Sequence, residues 1–450
     1  MALDLTSIKS LLEGQATHFY VAYSGGVDSH VLLHVLHTLR ANPQFDCDFE
    51  LSAIHVNHNL QAQSRQWVKH CEGVCAQLDI PLHVHSVDVD TTAGNSLEAQ
   101  ARDARYTVFK RYLATPSAAV LLAHHRRDQA ETLLLQLLRG AGVAGLSSMP
   151  VSREIFASST QTGQLVRPLL HTTQTEITHY AQQHNLQWID DPSNTDTRFD
   201  RNYLRHQVLP QIYPRWPSAD ATLQRVAEHQ AEASKLLEDL ARIDLAVIEH
   251  DRTSLNIAQL LYLDSLRQKN VLRYWLKYYA QVTVPETQQL NRIVSEVILA
   301  KQDALPELVW ASNRLRRYQD KIYIQDKNAQ PATTDLAQAW DLAQPLQWAA
   351  SKLTSRQVMG QGISLAKLVD AKLVVNNRQG GESCRPAGRQ HTRSLKCLFQ
   401  EWHVPPWLRS QVALLYADGR LAQVVGFCVC DGFQAKPTEM GVVIESSTMQ

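Results

Sequence analysis

The sequence predicts an α/β protein. We expect an N-terminal parallel sheet with flanking helices, then a mainly helical middle domain and a small α+β C-terminal domain. Short apolar runs alternate with segments of helical periodicity over about the first 140 residues, which is typical of βαβ units. A glycine-rich turn, SGGVDS at residues 24–29, joins the first such run to the first such segment. At 450 residues the chain has room for two or three domains.

The predicted strands and helices of the N-terminal sheet follow one another in order along the chain. Strands are expected at residues 18–23, 50–56, 81–89 and 118–125, and helices at residues 30–40, 65–78, 97–113 and 130–140. Ligands of a parallel sheet bind at the carboxyl ends of its strands. Ser24, His55, His58, His124 and His125 all fall at those ends.

The later part of the chain changes in composition. It is rich in Ala, Leu, Gln and Glu over residues 218–279, which predicts helices, and a further helix is expected at 286–300. A hairpin is predicted at 314–325, and short strands around a helix at 395–402. We therefore predict domains at residues 1–216, 217–327 (mainly helical) and 361–450, with a linker at 328–360.

The turn at residues 24–29 has the composition of a phosphate-binding loop. A strand, a glycine-rich turn and a helix together aim backbone N–H groups and the positive end of a helix dipole at one point. The turn lacks the terminal Gly-Lys-Ser/Thr of the Walker loop and is not a dinucleotide G-x-G-x-x-G. The alternative is a plain helix start capped by Asp28 or Ser29. Capping does not explain Gly25 and Gly26 between two serines.

Composition describes an ordinary folded protein, with 44% apolar and 20% charged residues. Residues 3–15 carry acidic and polar side chains where a signal peptide needs an apolar core, and no later run reaches transmembrane length. We expect a cytoplasmic protein without a membrane partner. The seven cysteines show neither a paired framework nor a C-x-x-C site, so we expect them to be reduced and structural.

Net charge is zero, but basic residues concentrate in one segment, residues 378–409, which we name the basic segment. A local basic patch is sufficient to bind one folded RNA. Trp402 and Trp407 are interleaved with the charges and suit base recognition, although tryptophans are more often core residues. The basic residues are Arg378, Arg385, Arg389, Arg393, Lys396 and Arg409, against Glu382 and Glu401.

Three further groups of residues share helix faces. Asp128, Glu131 and Thr132 stand at i, i+3 and i+4, either as catalytic carboxylates or as acids that complement a helix dipole. Arg102 and Arg105, with Glu98, either clamp phosphates or form surface ion pairs. The third group is a basic stripe, which could equally be a solvated helix face: Arg198, Arg201 and Arg205, with Asn202 beside it.

These segments together resemble one family closely. The loop SGGVDS resembles the pyrophosphate loop of the ATP pyrophosphatases, whose fold is adenine nucleotide alpha hydrolase-like. The wider set resembles the bacterial tRNA(Ile)-lysidine synthetases over nearly the whole chain. One departure is Arg127, where these enzymes usually carry Asp or Asn. The matching segments are HVNH (55–58), EAQARDARY (98–106), HHxxDQxET (124–132), RPLL (167–170), DxSNxD (191–196) and GGE…RP…KxLFQEW…PPWLR (380–409).

The resemblance implies a two-step ligation. ATP adenylates the wobble cytidine of a tRNA(Ile) with a CAU anticodon, and the ε-amine of free L-lysine then displaces AMP to give lysidine. Asp28 is expected to place Mg²⁺, and Asp128 or Glu131 to take the amine's proton. The expected ATP contacts are Ser24, Gly25, Gly26, Val27, Asp28, Ser29, Arg102 and Arg105, and the expected tRNA contacts are Arg201, Arg205, Arg385, Arg389, Arg393 and Lys396.

Two other functions stay open at this point. A tRNA 2-thiolation enzyme could use the same ATP loop, but it would want sulfur-relay cysteines or an iron–sulfur set, which the spacings Cys71/Cys75 and Cys428/Cys430 do not supply. A non-catalytic tRNA-binding protein would not need a pyrophosphate loop. The sequence also leaves open the oligomeric state, for which a homodimer is one option, and which carboxylate serves lysine.

Overall fold

The structure is a computed structural model that describes residues 3–58, 63–87, 97–115, 117–156, 162–301, 304–328, 337–348 and 351–448. The chain forms two compact units, Met1–Leu237 and Glu238–Gln450. Within the described ranges, no helix combines the length and apolarity that crossing a membrane would need. The finer domain boundaries given above stay predictions.

The first unit contains a six-stranded sheet. Its strands are β1 (His18–Ala22), β2 (Glu50–Asn57), β3 (Leu82–Ser86), β4 (Ala118–Leu121), β5 (Ser152–Phe156) and β6 (Thr162–Val166). Their order is β3-β2-β1-β4-β6-β5, and every neighbouring pair is parallel except β6 and β5. The predicted parallel sheet is confirmed, and the sequence analysis missed the hairpin of β5 and β6 at its edge.

Helices cover this sheet. The helices that begin in the first unit are α1 (Leu5–Leu12), α2 (Val27–Ala41), α3 (Ser64–Gln77), α4 (Leu97–Leu113), α5 (Arg126–Leu138), α6 (Val143–Leu146), α7 (Gln174–Gln183), α8 (Asp200–Tyr203), α9 (Leu209–Ile212) and α10 (Ala219–Leu245). A π-helical turn, Leu204–Val208, joins α8 to α9.

Alternation along β1 buries side chains on both faces of the sheet. Phe19 and Val21 lie in one apolar cluster with Leu36 of α2, whereas Tyr20 lies in a second cluster with Phe109 of α4. Successive strand residues point to opposite faces, so a strand covered on both sides is apolar throughout. The order β2-β1-β4 then brings the carboxyl ends of three parallel strands side by side.

The second unit begins with helices and a small antiparallel sheet. Its elements are β7 (Ser254–Asn256), α11 (Ile257–Leu260), α12 (Ser265–Tyr274), α13 (Thr287–Arg292), β8 (Glu307–Trp310), β9 (Asn313–Tyr318) and β10 (Lys321–Asp326). The sheet order is β7-β10-β9-β8. The predicted hairpin at 314–325 is confirmed as β9 and β10, and the predicted helix at 286–300 as α13 with the π-helical segment Ile293–Ile298. Trp275 is fully buried at the centre of this part.

The C-terminal part is rich in β-structure around one helix, as predicted. Its elements are β11 (Gln338–Ala339), β12 (Leu346–Trp348), β13 (Ser351–Met359), β14 (Ile363–Ser364), β15 (Leu373–Asn376), β16 (Ser383–Cys384), β17 (Arg393–Ser394), α14 (Leu395–Glu401), β18 (Leu414–Ala417), β19 (Arg420–Val424), β20 (Cys428–Val429) and β21 (Met440–Thr448). One sheet has the order β11-β15-β18-β19-β20 and another β12-β13-β21-β14.

Strands occupy part of the segment in which the linker is predicted, residues 328–360. Strand β13 pairs along its whole length with β21, from Ser351 opposite Thr448 to Met359 opposite Met440. Among the side chains of β13 only Leu353 is buried, so the segment lacks the apolar alternation by which strands are recognised. The strand is defined by its backbone pairing with β21, more than 80 residues later in the chain, and the local sequence does not show that pairing.

Candidate active site

The loop between β1 and α2 needs glycine for two physical reasons. Gly25 has φ of 91°, a conformation that L side chains rarely adopt. A Cβ at this position would also lie 3.0 Å from Ile189 Cδ1 and 3.1 Å from Cys71 Sγ. Gly26 then caps α2 with extended backbone and no side-chain hydrogen bond. The backbone is therefore unobstructed where the helix begins.

The two serines brace this loop. Ser29 is buried, and its Oγ donates to Gly26 O at 3.0 Å and accepts from Ser24 N at 3.2 Å. The hydroxyl oxygens of Ser24 and Ser29 are 3.0 Å apart. The first intrahelical bond of α2 is accepted by Gly26 O, so the amides of Val27 and Asp28 precede it. The loop presents amides and a helix N-terminus together, which is an anion-binding arrangement.

Asp28, in the first turn of α2, connects the loop to two other elements. Gln174 Nε2 of α7 donates to Asp28 Oδ1 at 3.0 Å. On the other side, His125 Nε2 lies 3.8 Å from Asp28 Oδ2. Burial raises the pKa of Asp28 above its ordinary value, although His125 and Gln174 favour the charged form. About a third of the side chain remains exposed.

His125 stands between two carboxylates at the carboxyl end of β4. It caps α5 reciprocally with Asp128: His125 N donates to Asp128 Oδ2 at 3.0 Å, and His125 Nδ1 accepts from Arg127 N at 3.2 Å. Because Nδ1 accepts, the proton of the neutral ring is assigned to Nε2. That nitrogen is 3.5 Å from Asp128 Oδ2 and faces Asp28 on the other side.

Two arginines hold the carboxylates of α5. Arg205 donates to both oxygens of Glu131, at 2.6 and 2.8 Å, and to Asp128 Oδ1 at 3.3 Å. Arg201 donates from Nε to Glu131 Oε2 at 2.9 Å and from Nη2 to Thr132 Oγ1 at 3.1 Å. Bidentate pairing of this kind fixes both partners in one geometry. The two arginines that we predicted to contact tRNA are thus paired with carboxylates of α5.

Asp128 and Glu131 differ in how far they are enclosed. Glu131 is fully buried, whereas the Asp128 side chain is 12% exposed. Burial alone would raise the pKa of Asp128, but its interactions with His125, Arg201 and His124, together with the hydrogen bond from His125 N, outweigh it and hold that pKa well below its usual range. Asp128 is a firmly ionised carboxylate, and Glu131 is an internal anchor between two guanidinium groups.

The basic stripe predicted at Arg198, Arg201 and Arg205 does not form. Arg198 is exposed and pairs with Asp196 at 2.7 Å, whereas the other two arginines pair with Glu131. Asn202 donates to the carbonyl oxygens of Ser193 and Asp196 and ties down the preceding loop. The physical reason is that α8 begins at Asp200 after the cap residue Phe199, so Arg198 lies outside the helix and does not share a face with Arg201 and Arg205.

Arg102 also belongs to this region. Its Nη2 donates to Tyr106 Oη at 3.0 Å, and its guanidinium lies 4.9 Å from the centre of that ring. Its charge acts on His124, whose pKa is lowered to about 3 by burial first and then by Arg167, Arg201 and Arg102, against the opposing charge of Asp128. His124 is therefore neutral and accepts a hydrogen bond from Arg167 Nε at 3.2 Å. Arg102 thus lies near enough to His124 to act on it electrostatically.

Arg105 lies one turn further along α4 and is exposed. Its charge, after burial, is a cause of the lowered pKa of His58, about 4. His58 follows β2 directly, so Arg105 is near the carboxyl end of that strand. His55, inside β2, is buried and donates from Nδ1 to Tyr23 O at 2.9 Å, which makes it part of the frame under the loop. Glu98 lies outside the residues whose side chains are described.

An open cavity of about 440 Å³ lies between the start of α5 and α7. Gln174, which donates to Asp28, is one of its lining residues, so the cavity adjoins the loop. Arg127 contributes a charge, although its guanidinium also lies 3.9 Å from Asp220 and over the ring of Tyr213. The lining residues are Arg127, Gln174, Thr175, Thr178, His179 and Gln182.

The basic segment of the second unit is largely ion-paired. Glu401 on α14 accepts from two of the predicted tRNA contacts, and each of those arginines is about half exposed. Four cations therefore face two carboxylates, which leaves an excess of positive charge on an accessible surface. The pairs are Arg385 with Asp431, Arg389 with Glu401 at 2.6 Å, and Arg393 with Glu401, and Lys396 is exposed.

Trp402 and Trp407, considered for base recognition, are structural in this fold. Trp407 packs edge-on against Tyr318 of β9, with ring centres 6.3 Å apart. Arg409 is buried and donates to Tyr318 Oη at 3.1 Å. Trp402 stacks on Phe427 at 5.1 Å. The PPWLR end of the basic segment thus packs on the β9–β10 hairpin.

Sequence reasoning missed Gln174 and Arg167, although signals for both existed. Thr173 and Glu176 form a reciprocal cap at the start of α7, and the T-x-x-E pattern could have located Gln174 in the first turn. Arg167 lies in the RPLL segment and is 2% exposed, with Nη1 donating to Pro150 O at 2.7 Å. The signal for Arg167 was its place in the RPLL segment, which carries the family resemblance, although no local pattern shows that this arginine is buried.

Three family profiles match the chain. They describe a PP-loop domain over residues 4–212, a TilS substrate binding domain over 255–323 and a TilS substrate C-terminal domain over 373–446. The first of these agrees with the predicted adenine nucleotide alpha hydrolase-like fold of the N-terminal sheet, which is confirmed.

Similar proteins extend over nearly the full length. A tRNA(Ile)-lysidine synthase of Coxiella burnetii is 42% identical over 95% of this chain and 93% of its own. That of Legionella pneumophila is 38% identical over 95% of both chains, and that of Methylococcus capsulatus 37% identical over 99% of both. With the phosphate loop in place, three matching profiles and relatives 37–42% identical over nearly the full length, the chain belongs to the tRNA(Ile)-lysidine synthase family.

Proposed function

We propose that this protein uses ATP to join free L-lysine to C2 of the wobble cytidine in a CAU-anticodon tRNA(Ile). The observation that carries this proposal is the juxtaposition of the SGGVDS loop with Asp28, His125 and Asp128 at the carboxyl ends of β1 and β4. Such a group suits a reaction in which a phosphate leaves and a proton is removed at neighbouring positions. Membership of the tRNA(Ile)-lysidine synthase family supports this choice of substrates.

In the first step the cytidine O2 attacks the α-phosphorus of ATP, and the bond to pyrophosphate breaks. Negative charge grows on the leaving pyrophosphate, and the amides of Val27 and Asp28 with the start of α2 are positioned to meet it. Gly25 and Gly26 allow the close approach, and Ser24 and Ser29 hold the loop rigid. Arg102, which acts electrostatically on His124, is proposed as a further cation for the phosphates.

Mg²⁺ fits this site, because Asp28 offers a partly exposed carboxylate next to the loop amides. Magnesium is usually held by one or two carboxylates together with substrate phosphates. When bound, it supplies charge neutralisation for the leaving group. Asp128 is the nearest second carboxylate, across the His125 ring.

In the second step the ε-amine of lysine attacks C2, and AMP leaves with the oxygen. Lysine is neutral at pH 7 only about once in 2,500, which costs about 4.6 kcal/mol, so a nearby base must accept its proton. Once pyrophosphate and Mg²⁺ have left, Asp28 suits this role best: burial raises its pKa, and no arginine hydrogen bond to it is found among the described residues. Asp128 is a weaker base, since its pKa is lowered, and Glu131 is enclosed. We assign both to positioning.

The tRNA is proposed to contact the basic segment while the loop works on the wobble base. Arg385, Arg389, Arg393 and Lys396 have exposed side chains and more positive charge than their two acids neutralise. Phosphate contacts of this kind fix register and orientation rather than sequence. Arg201 and Arg205 are proposed to act on tRNA only indirectly, through the carboxylates of α5.

Thiolation is the less favoured alternative for this chain. The cysteines near the loop are Cys71 and Cys75, both buried, and burial raises the pKa of each to about 12. A thiol held protonated is neither a nucleophile nor a sulfur carrier at neutral pH.

One assay distinguishes the candidates. The full-length protein is incubated with ATP, Mg²⁺, labelled lysine and a CAU-anticodon transcript, and the label in tRNA and the AMP and pyrophosphate released are measured. We expect one lysine per tRNA, with AMP and pyrophosphate in equal amounts. A CAU-anticodon tRNA(Met) transcript is the matched control and should take no label. Absence of label from active, folded protein would contradict the proposal, and ATP-independent tRNA binding alone would indicate a binding protein.

A further inference from the structure

Three cysteines of the second unit meet at one point. Cys384 and Cys430 are buried and Cys428 is half-buried. The three Sγ atoms all lie within 4.8 Å of one another. Cys384 Sγ is 3.9 Å from Cys428 Sγ and 2.7 Å from Cys430 Sγ. The sequence predicts reduced, structural cysteines, because their spacing shows neither a paired framework nor a C-x-x-C site, and Cys384 is 44 residues from Cys428.

Backbone pairing holds the three residues together. Cys428 begins β20, at the edge of the five-stranded sheet, and Cys430 follows two residues later, so their side chains lie on the same side of an extended chain. The segment after Cys384 runs antiparallel beside them: Pro386 and Cys430 form a bridge, and backbone hydrogen bonds flank it on both sides. The thiols are thus brought together by fixed strands rather than by flexible side chains.

We propose that Cys384, Cys428 and Cys430 form a binding site for a thiophilic divalent cation, Zn²⁺. Zinc–thiolate bonds of about 2.3 Å place two ligands of a tetrahedral site about 3.8 Å apart. The separation of Cys384 and Cys428 already has this value, and the Cys384–Cys430 pair needs to open by about 1 Å. Three soft ligands select zinc over the hard cation Mg²⁺, which prefers oxygen.

The half-buried side of Cys428 leaves the fourth coordination position to water or to another group from solvent. Positive charge lies close by, because Arg385 follows Cys384 directly and pairs with Asp431, which follows Cys430. Three thiolates on one Zn²⁺ carry a net charge of −1, which the charges of Arg385 and Arg389 favour. The bound ion would fasten the start of the basic segment to the sheet and so keep Arg385 and Arg389 in place. This role is separate from the ligation chemistry.

The test uses the full-length protein, reduced and stripped of metal under anaerobic conditions. Zn²⁺ is titrated by calorimetry, and Co²⁺ is added as a spectroscopic probe whose thiolate charge-transfer absorption reports bound cysteines. Variants are Cys384→Ser and Cys428→Ser. Cys397→Ser is the matched control, because Cys397 is an exposed cysteine of the same domain. Melting temperature is measured with and without Zn²⁺ for every protein.

We expect one Zn²⁺ per chain, the thiolate–cobalt absorption, and a melting temperature raised by Zn²⁺. All three should persist in Cys397→Ser. In Cys384→Ser and Cys428→Ser the absorption should be lost and the Zn²⁺ affinity should fall at least tenfold, with circular dichroism unchanged at low temperature. The proposal is overturned by absence of stoichiometric binding to reduced, folded protein. Equal loss in Cys397→Ser, or a mass two hydrogens lower that locates a Cys384–Cys430 disulfide in the reduced preparation, would also overturn it.

Discussion

Asp28, Asp128 and Glu131 carry the same chemical group in three environments. Glu131 is enclosed by the guanidinium groups of two arginines, and Asp128 contacts the same two groups but is slightly exposed. Asp28 instead contacts the amide of Gln174 and the imidazole of His125. Environment sets which carboxylate can take up a proton and which is fixed as an anion. The division of labour proposed for the reaction follows from these contacts.

Asp28→Ala should abolish adenylation of tRNA, with AMP transfer reduced at least a hundredfold. The variant loses both the proposed magnesium ligand and the proton acceptor, while the loop glycines and serines stay in place. AMP transfer is measured with α-labelled ATP, and tRNA affinity and circular dichroism are the controls for folding. Full AMP transfer in this variant would remove Asp28 from the site.

Asp128→Asn should slow adenylation and lysine transfer together. The amide keeps the shape but weakens the contacts to His125 and Arg205, so the whole constellation is displaced. Single-turnover analysis separates the two steps. Accumulation of adenylated tRNA would instead indicate that Asp128 accepts the proton of lysine.

The loop at residues 24–29 was predictable from the sequence, whereas the side chains that complete the site around it were not. Residues 24–29 are contiguous, and glycine at a strand-to-helix turn has few other uses. Gln174 reaches Asp28 across 146 residues and Arg205 reaches Glu131 across 74. No local pattern encodes such contacts, so the pairing of Arg201 and Arg205 with Glu131 was not predicted, and their contact with tRNA stays a prediction.

The pairing of α5 with α8 and the turn after it is the main polar contact between elements of the first unit. Glu131→Gln should lower the free energy of unfolding by about 3–5 kcal/mol, because it removes the fully buried carboxylate that compensates two partly buried guanidinium groups. Urea denaturation measures the change. Arg198→Ala, which removes only the exposed pair with Asp196, is the control and should leave stability unchanged. Equal effects of the two variants would contradict the assigned burial.

The α14 region allows a two-way test of tRNA binding. Arg389→Ala with Arg393→Ala should weaken tRNA binding and lower its salt slope by roughly 0.7–0.9 for each lost phosphate contact. ATP affinity should not change. The measurement is the tRNA dissociation constant over a range of salt concentrations, with folding verified. Identical constants across that range would mean that these arginines only serve the domain.

Glu401→Gln should change the affinity for tRNA in the opposite direction. Glu401 accepts from both Arg389 and Arg393, so its removal frees two cations on an accessible surface. We expect tighter tRNA binding and a steeper salt slope. Weaker binding would indicate that Glu401 positions the arginines rather than competing with tRNA for them.

Elements with clear periodicity were predicted closely, and those without it were not. The helix predicted at 97–113 is α4, and the hairpin predicted at 314–325 is β9 and β10. Strands β12 and β13 fall in the predicted linker because their side chains are mostly exposed. Their stability depends on pairing with distant partners, which composition does not report.

Across the molecule, several histidines are kept neutral by burial. The pKa of His34 and of His58 is lowered to about 4, and that of His124 to about 3. In the unfolded chain these groups titrate near 6.5, so below that pH the unfolded state binds more protons. Stability is therefore expected to decline as the pH falls from about 6.5 towards 4.

His34→Gln should reduce this acid sensitivity. Each such histidine contributes up to about 1.4 kcal/mol per pH unit to the slope of unfolding free energy against pH in that window. Urea denaturation at a series of pH values measures the slope. The exposed His391, replaced by Gln, is the control and should leave the slope as it is. An unchanged slope in His34→Gln would contradict its burial as a neutral group.

The pairing of β13 with β21 has a consequence for how the protein is made on the ribosome. The strands of the first sheet are all synthesised by Val166, so that sheet can form while the rest of the chain is still being translated. Strand β13 must wait for β21, the last described strand, and until then its edge is unpaired and its neighbours are uncovered. A stop codon before Met440 should thus yield protein with a folded nucleotide-binding sheet and an insoluble, chaperone-dependent C-terminal part.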